Sequence, residues 1–273
     1  MLVEQLIDHF KVFEHILAII LGTPRIFIIM QIVPFMGSSV VTGQLRTTLA
    51  FACYMIIHPT LMPLLPDADF SGKNIDFLFY GAILAKEVLI GLFIGFLSGI
   101  LFWAVQATGF FIDNQRGLSQ AAGAEILSGE ETSPLGGFLF QCVTYIFFYS
   151  GAFLVFLQFI YQSYAMWPVL ELSPLTMIFN NQFPLLFAEQ VNYLMLLMLL
   201  LSGPIVMACL LTDLSLGLMN RFASQLNVYV LAMPIKSALA SFLIIFYLYV
   251  FLKQVVPLFD DIMELLEKMR HFA

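Results

Sequence analysis

The chain has 273 residues, of which 61% are hydrophobic and only 11% charged, with a mean hydropathy of +0.95. A soluble fold of this length cannot hide so much apolar surface, so lipid or a protein partner must cover the rest. The net charge of -7 is not gathered into any basic cluster, which excludes a nucleic-acid-binding role. Cys53, Cys142 and Cys209 are odd in number and each lies in an apolar run. They read as buried small hydrophobes, not as a disulfide framework or a metal site.

Residues 1–15 predict an amphipathic helix. Leu2, Leu6, Phe10 and Phe13 share one face, and Glu4, Asp8 and Lys11 point elsewhere. Acids stand where a secretory leader would carry bases, so the segment is expected to stay. Six apolar stretches follow, over 16–36, 45–65, 77–112, 134–165, 183–211 and 226–256. Each reaches the ~20 residues needed to cross a bilayer, and the longest must tilt, kink or project beyond lipid. Pro24, Pro34, Pro204 and Pro234 mark expected kinks or boundaries. The stretches form two helical groups, 16–112 and 134–256, separated by a polar loop over 113–133. Residues 257–273 predict a second amphipathic helix, with Leu258, Phe259, Ile262 and Leu266 on its apolar stripe. Its net acidity favours a protein partner over anionic lipid. With six crossings, 5 basic residues fall on one side and 3 on the other, a bias too weak to orient the chain.

Gly91, Gly95 and Gly99 recur every four residues within one apolar run. They form a helix stripe without side chains, suited to close approach of another helix. At this level the stripe serves either a neighbouring subunit or another part of the same chain. Lys86 and Glu87 lie in the same run, and Arg25 and Lys236 in others. Each costs a few kcal/mol in lipid and should face protein or a wet cavity. Neighbours in sequence do not face each other on a helix, so Lys86 and Glu87 are expected to pair with other segments or to line a pathway. Asp113 and Arg116 are three apart, a spacing that permits an ion pair, with Asn114 and Gln115 between them. Asp213 and Arg221 are eight apart and cannot touch on one straight helix. Catalytic signals are absent: the four histidines are scattered, there is no H-E-x-x-H, and no phosphate-binding glycine pattern occurs. No catalytic residue, cofactor or metal is expected.

The stretches GFFIDNQRG (109–117) and SGEETSPLG (128–136) resemble the T subunit of the type III secretion export apparatus, SctT. LLTDLSLGLMNRFASQLNVYVLAMPIKSAL (210–239) is similar to the signature SctT shares with its flagellar relative FliR. Ala223 and Ser224 stand before Gln225 where the flagellar pattern tends to carry proline, which favours the secretion branch. The resemblance implies an all-α, non-enzymatic membrane protein packed in a hetero-oligomeric helical assembly. It implies one T chain joined to SctR-like and SctS-like subunits around a protein-conducting pore, with an SctU-like switch protein, inner rod or needle proteins and unfolded exported substrates as further partners. It also implies a bacterial inner-membrane location with part of the assembly raised toward the periplasm. On this reading Gly91, Gly95 and Gly99 pack against subunits, and Asp113, Asn114, Gln115 and Arg116 border the conduit. Lys86, Glu87, Asp213, Arg221 and Lys236 make structural ionic contacts. The alternative is a secondary transporter of ions or small solutes, which wants matched broken helices in two halves; the halves of this sequence do not match.

Overall fold

The computed structural model describes residues 12–37, 40–64, 77–118, 133–172, 182–222 and 228–268. All the regular structure among them is helical: α1 (Val12–Ile32), α2 (Gly43–Leu61), α3 (Phe77–Gln115), α4 (Pro134–Tyr149), α5 (Ala152–Met166), α6 (Gln182–Phe222) and α7 (Val228–Lys268). Short 3-10 turns at Pro34–Met36 and Met62–Leu64 close α1 and α2. The expected all-α architecture is present. Among the described residues, not all of the six expected stretches form helices long and apolar enough to cross a membrane. Four helices (α1, α3, α6 and α7) are long and apolar enough to span, and α4 with α5 forms a fifth candidate bent by 73°.

Two local causes explain the difference. The 134–165 stretch breaks at Gly151, whose φ of +81° is a left-handed conformation that glycine adopts without penalty. The 45–65 stretch folds as α2, but Gln44, Arg46, Thr47, Thr48 and His58 dilute its apolar face, and it is not counted among the spans. Boundaries move outward elsewhere. α3 continues to Gln115, so Asp113 and Asn114 lie in its last turns, not in a loop. α7 runs through Pro234 and Pro257 to Lys268, so the expected separate C-terminal helix is the continuation of α7 as far as that residue. The N-terminal face of Leu2, Leu6 and Phe10 lies outside the described residues; Phe13 belongs to α1 and is exposed.

The chain divides into two compact units. One contains residues 1–99, 153–188 and 262–273, and the other contains 100–152 and 189–261. In the first, α1 and α2 form a hairpin centred on Gly22. A methyl group there would fall 2.6 Å from Leu61 Cδ1 and 2.7 Å from Tyr54 Cε2. The glycine stripe of α3 is occupied by the chain's own α1. A Cβ on Gly91 would lie 2.8 Å from the Arg25 carbonyl oxygen, and one on Gly95 would lie 3.1 Å from Ile32 Cβ. The expectation that these glycines receive a neighbouring subunit is therefore corrected for Gly91 and Gly95: the small residues bring two helices of one chain together. Gly99 is buried as well. Phe35 meets Phe156 edge-to-face at 5.2 Å in the same unit.

In the second unit Ile112, Ile205, Val206, Cys209 and Ala240 form a core from α3, α6 and α7. Phe102 and Phe147 cross at 89° beside Phe259. The sharpest backbone approach is one that sequence spacing does not flag. A Cβ on Gly109 would lie 2.3 Å from Gly136 Cα, so α3 and α4 touch main chain to main chain.

Glycine position, not helix propensity, should decide the outcome of substitution along α3. Gly91→Ala should lower stability by about 1–3 kcal/mol through overpacking against rigid backbone. Gly81→Ala, with nothing within 4 Å of its Cβ, should be neutral or stabilising by up to about 1 kcal/mol. Thermal unfolding of the chain in its co-purified assembly checks the contrast; equal effects at both positions would contradict it.

Candidate functional site

Charged side chains in apolar helices need partners, and the partners found define two polar clusters, one in each unit. In the first, Arg25 of α1 lies under the glycine contact with α3 and is wholly buried. Its guanidinium forks onto Glu87, with Nε to Oε2 at 2.7 Å and Nη2 to Oε1 at 2.8 Å. The remaining donors cap the end of α5: Nη1 donates to the Ser163 carbonyl at 2.7 Å and Nη2 to the Trp167 carbonyl at 2.8 Å. A cation at a helix C-terminus meets the negative end of the backbone dipole. The Tyr164 ring lies 4.2 Å below the guanidinium, and its hydroxyl donates to the Gly22 carbonyl at 2.6 Å. Lys86 is buried beside them. Its ammonium donates to the carbonyl oxygens of Pro168, Val169 and Glu171 at 2.8, 2.6 and 3.0 Å.

The expectation that adjacent Lys86 and Glu87 do not pair is overturned. Lys86 Nζ lies 2.9 Å from Glu87 Oε1. The rule concerns how neighbouring Cβ atoms diverge on a helix; the flexible four-carbon stem of lysine reaches back around that divergence. One carboxylate thus holds two cations, and five backbone carbonyls and the Ser163 hydroxyl accept the remaining hydrogen bonds. From the sequence, Arg25, Lys86 and Glu87 were expected to face protein or a wet cavity, and the structure shows protein. Ser163, Trp167 and the turn 168–171 were not foreseen, because main-chain acceptors leave no sequence signature.

In the second unit Asp113 organises the start of α4. Pro134 occupies the first helical position, where its missing N–H is no loss. The next two orphan N–H groups are both satisfied: Leu135 donates to Asp113 Oδ2 at 3.1 Å and Gly136 to Ser133 Oγ at 2.9 Å. The Ser133 hydroxyl in turn donates to Asp113 Oδ2 at 2.6 Å. Arg116 sits 2.7 Å from the other carboxylate oxygen, the i,i+3 pair the spacing permits. Gly117, with φ of +88°, ends the run. This cap requires the close Gly109–Gly136 crossing, since a wider spacing would carry Asp113 out of reach of Leu135. Asn114 is exposed and Gln115 half-buried.

Lys236 of α7 reaches Asp213 of α6, at 2.9 Å to Oδ1 and 3.1 Å to Oδ2. Tyr247 donates to the Leu201 carbonyl at 2.9 Å further along the same pair. Arg221, expected as a buried contact, is exposed in the last turn of α6. Among the described residues no group of three or more His, Cys, Asp or Glu side chains is arranged to hold a metal.

These features define a class: an all-helical, multi-pass membrane protein whose intramembrane charges serve its own packing. The family described as "Bacterial export proteins, family 1" matches residues 16–262. The chain belongs to this family. It is 35% identical over 225 residues to "Yop proteins translocation protein T" of Yersinia pestis, covering 82% of this chain and 83% of that one. It is 36% identical over 168 residues to "Secretion system apparatus protein SsaT" of Salmonella typhimurium, covering 62% of each. It is 30% identical over 166 residues to "Flagellar biosynthetic protein FliR" of Bacillus subtilis, covering 61% of this chain and 63% of that one. The resemblance to SctT read from the 109–136 and 210–239 stretches is borne out, as is its consequence that the protein is a component of a type III secretion export apparatus.

The Asp113 cap generates a ranked prediction. Asp113→Ala strips two donors and a cation of their acceptor and should cost about 2–3 kcal/mol. Ser133→Ala, which removes one N-cap acceptor, should cost about 1 kcal/mol. Thermal unfolding of the two variants tests this ranking; the opposite order would show that Asp113 does not organise the start of α4.

Proposed function

We propose that the chain is the T-type core subunit of the inner-membrane export gate of a type III secretion system. It joins SctR-like and SctS-like subunits, as a single T copy, in the wall of a protein-conducting pore. The SctU-like switch protein docks on that assembly, the inner rod or needle builds from its outer end, and exported unfolded chains pass through it. The subunit works by shape and packing, not by catalysis.

One observation carries this reading. α6 and α7 are each 41 residues long, about 61 Å at 1.5 Å per residue, against a hydrocarbon core of about 30 Å. Exposed apolar side chains run nearly the whole length of α6, from Leu185 and Leu199 to Leu218 and Phe222, and from Val230 through Phe246 to Val256 on α7. Between Val230 and Phe259 only Ala240, Phe251, Val255 and Phe259 are buried. Lipid covers about half such a length, so protein is needed for the remainder, and a part raised toward the periplasm fits that need. The face around Asn114 is the part of the 113–133 segment that we assign to the conduit. The transporter alternative wants ionisable groups open to a solute, whereas Arg25, Lys86 and Glu87 are fully bonded to protein groups.

Co-expression separates the two readings. With R-type and S-type subunits present, the chain should co-purify in one defined complex; expressed alone, it should be degraded or aggregate. A stable monomer in detergent that binds or moves a solute would overturn the assignment.

A further inference from the structure

His15 and His58 are the described histidines, and they touch. His15 Nδ1 lies 2.8 Å from His58 Nε2, and the rings meet edge to edge, with centroids 5.1 Å apart and 26° between planes. The second nitrogen of His58 is held too: its Nδ1 lies 2.8 Å from the hydroxyl of buried Tyr54. The contact has a specific place in the fold. α1 and α2 are joined through residues 33–42, where Arg46 Nη1 donates to Gln31 Oε1 at 2.9 Å. His15 lies near the start of α1 and His58 in the last turn of α2. The pair therefore closes the open end of the hairpin.

Counting protons decides what the contact tolerates. A neutral imidazole has one N–H and one lone pair, and an imidazolium has two N–H groups and none. With both rings neutral, one N–H fills the 2.8 Å gap. With one ring charged, that ring donates and the other accepts. With both charged, two N–H groups face each other across the gap and no acceptor remains, so the contact must break. We propose that the His15–His58 pair is an acid-sensitive latch on the α1–α2 hairpin, closed while the pair carries at most one extra proton and open when it carries two.

The surroundings agree. The other ionisable groups on the two helices are Glu14, Arg25, Arg46, Cys53 and Tyr54. Arg25 and Arg46 are bonded to Glu87 and Gln31. Tyr161 and Tyr164 of α5 face the same helices through Cys53 and the Gly22 carbonyl, and Glu171 shares a cavity wall with Leu21 and Leu61. Burial, and then the neighbouring His15, lower the His58 pKa from its ordinary value. A base depressed in the folded state stabilises the fold fully above its unfolded pKa, and that stability falls as pH drops toward the folded value. The window in which the latch opens is therefore below about pH 6.5.

The test is a titration of the 15N-histidine-labelled full chain in lipid bilayers, with its assembly partners unlabelled. Two coupled steps separated by more than about one pH unit are expected for His15 and His58. His15→Gln should leave His58 with a single step. Thermal unfolding of the parent should lose several degrees more than that of His15→Gln between pH 7.5 and 5. Should His15→Gln fail to accumulate, the parent titration alone decides. Two independent steps less than about half a pH unit apart in the parent, or equal pH slopes for parent and variant, would overturn the latch.

Discussion

Everything in the first unit depends on how one buried carboxylate is shared. Glu87 sits between Arg25 and Lys86 with no exposed surface on any of the three side chains. Two cations and one anion leave an excess positive charge in an apolar interior, which is tolerable only if dipoles are aimed at it. The backbone supplies them. Arg25 and Lys86 take the carbonyls at the end of α5 and in the turn 168–171, so a single cluster ties α1, α3 and α5 together. Gly91 makes this possible, because only a residue without a side chain lets α3 lie against the Arg25 backbone.

The second unit solves a similar problem differently. There the charges at the helix contacts form two neutral pairs, Asp113 with Arg116 and Asp213 with Lys236. They end helices or stitch neighbouring ones, and Asp113 also supplies a cap from a different helix. In both units small residues set the distance and charged groups then lock the register. The faces left over on α6 and α7 are long and apolar, the surface that membership of a multi-subunit export apparatus requires.

Much of this was legible in the sequence. Apolar runs fixed the helical class, and the residues at 109–117 and 210–239 carried the family resemblance. Arg25, Lys86, Glu87 and Lys236 stood out because charge in an apolar run needs an explanation. What was not legible has physical causes. The Gly91 and Gly95 stripe announces a close contact but not its partner. The Gly109–Gly136 crossing joins residues far apart in sequence with no repeat to mark it. The bend at Gly151 depends on a single backbone conformation inside a continuous apolar run. The carbonyl acceptors around Lys86 leave no trace in residue identity, and the continuation of α7 through Pro257 overrides a local rule through tertiary context.

A double-mutant cycle on Glu87 and Arg25, read by thermal unfolding of the chain in its co-purified assembly, tests the central claim most directly. Glu87→Gln alone leaves two buried cations without their counter-ion and should cost about 3–5 kcal/mol. Adding Arg25→Met to it should recover part of that loss, so that the two changes are strongly non-additive. Additive effects, or a Glu87→Gln protein within about 0.5 kcal/mol of the parent, would mean that the shared carboxylate does not hold the unit together.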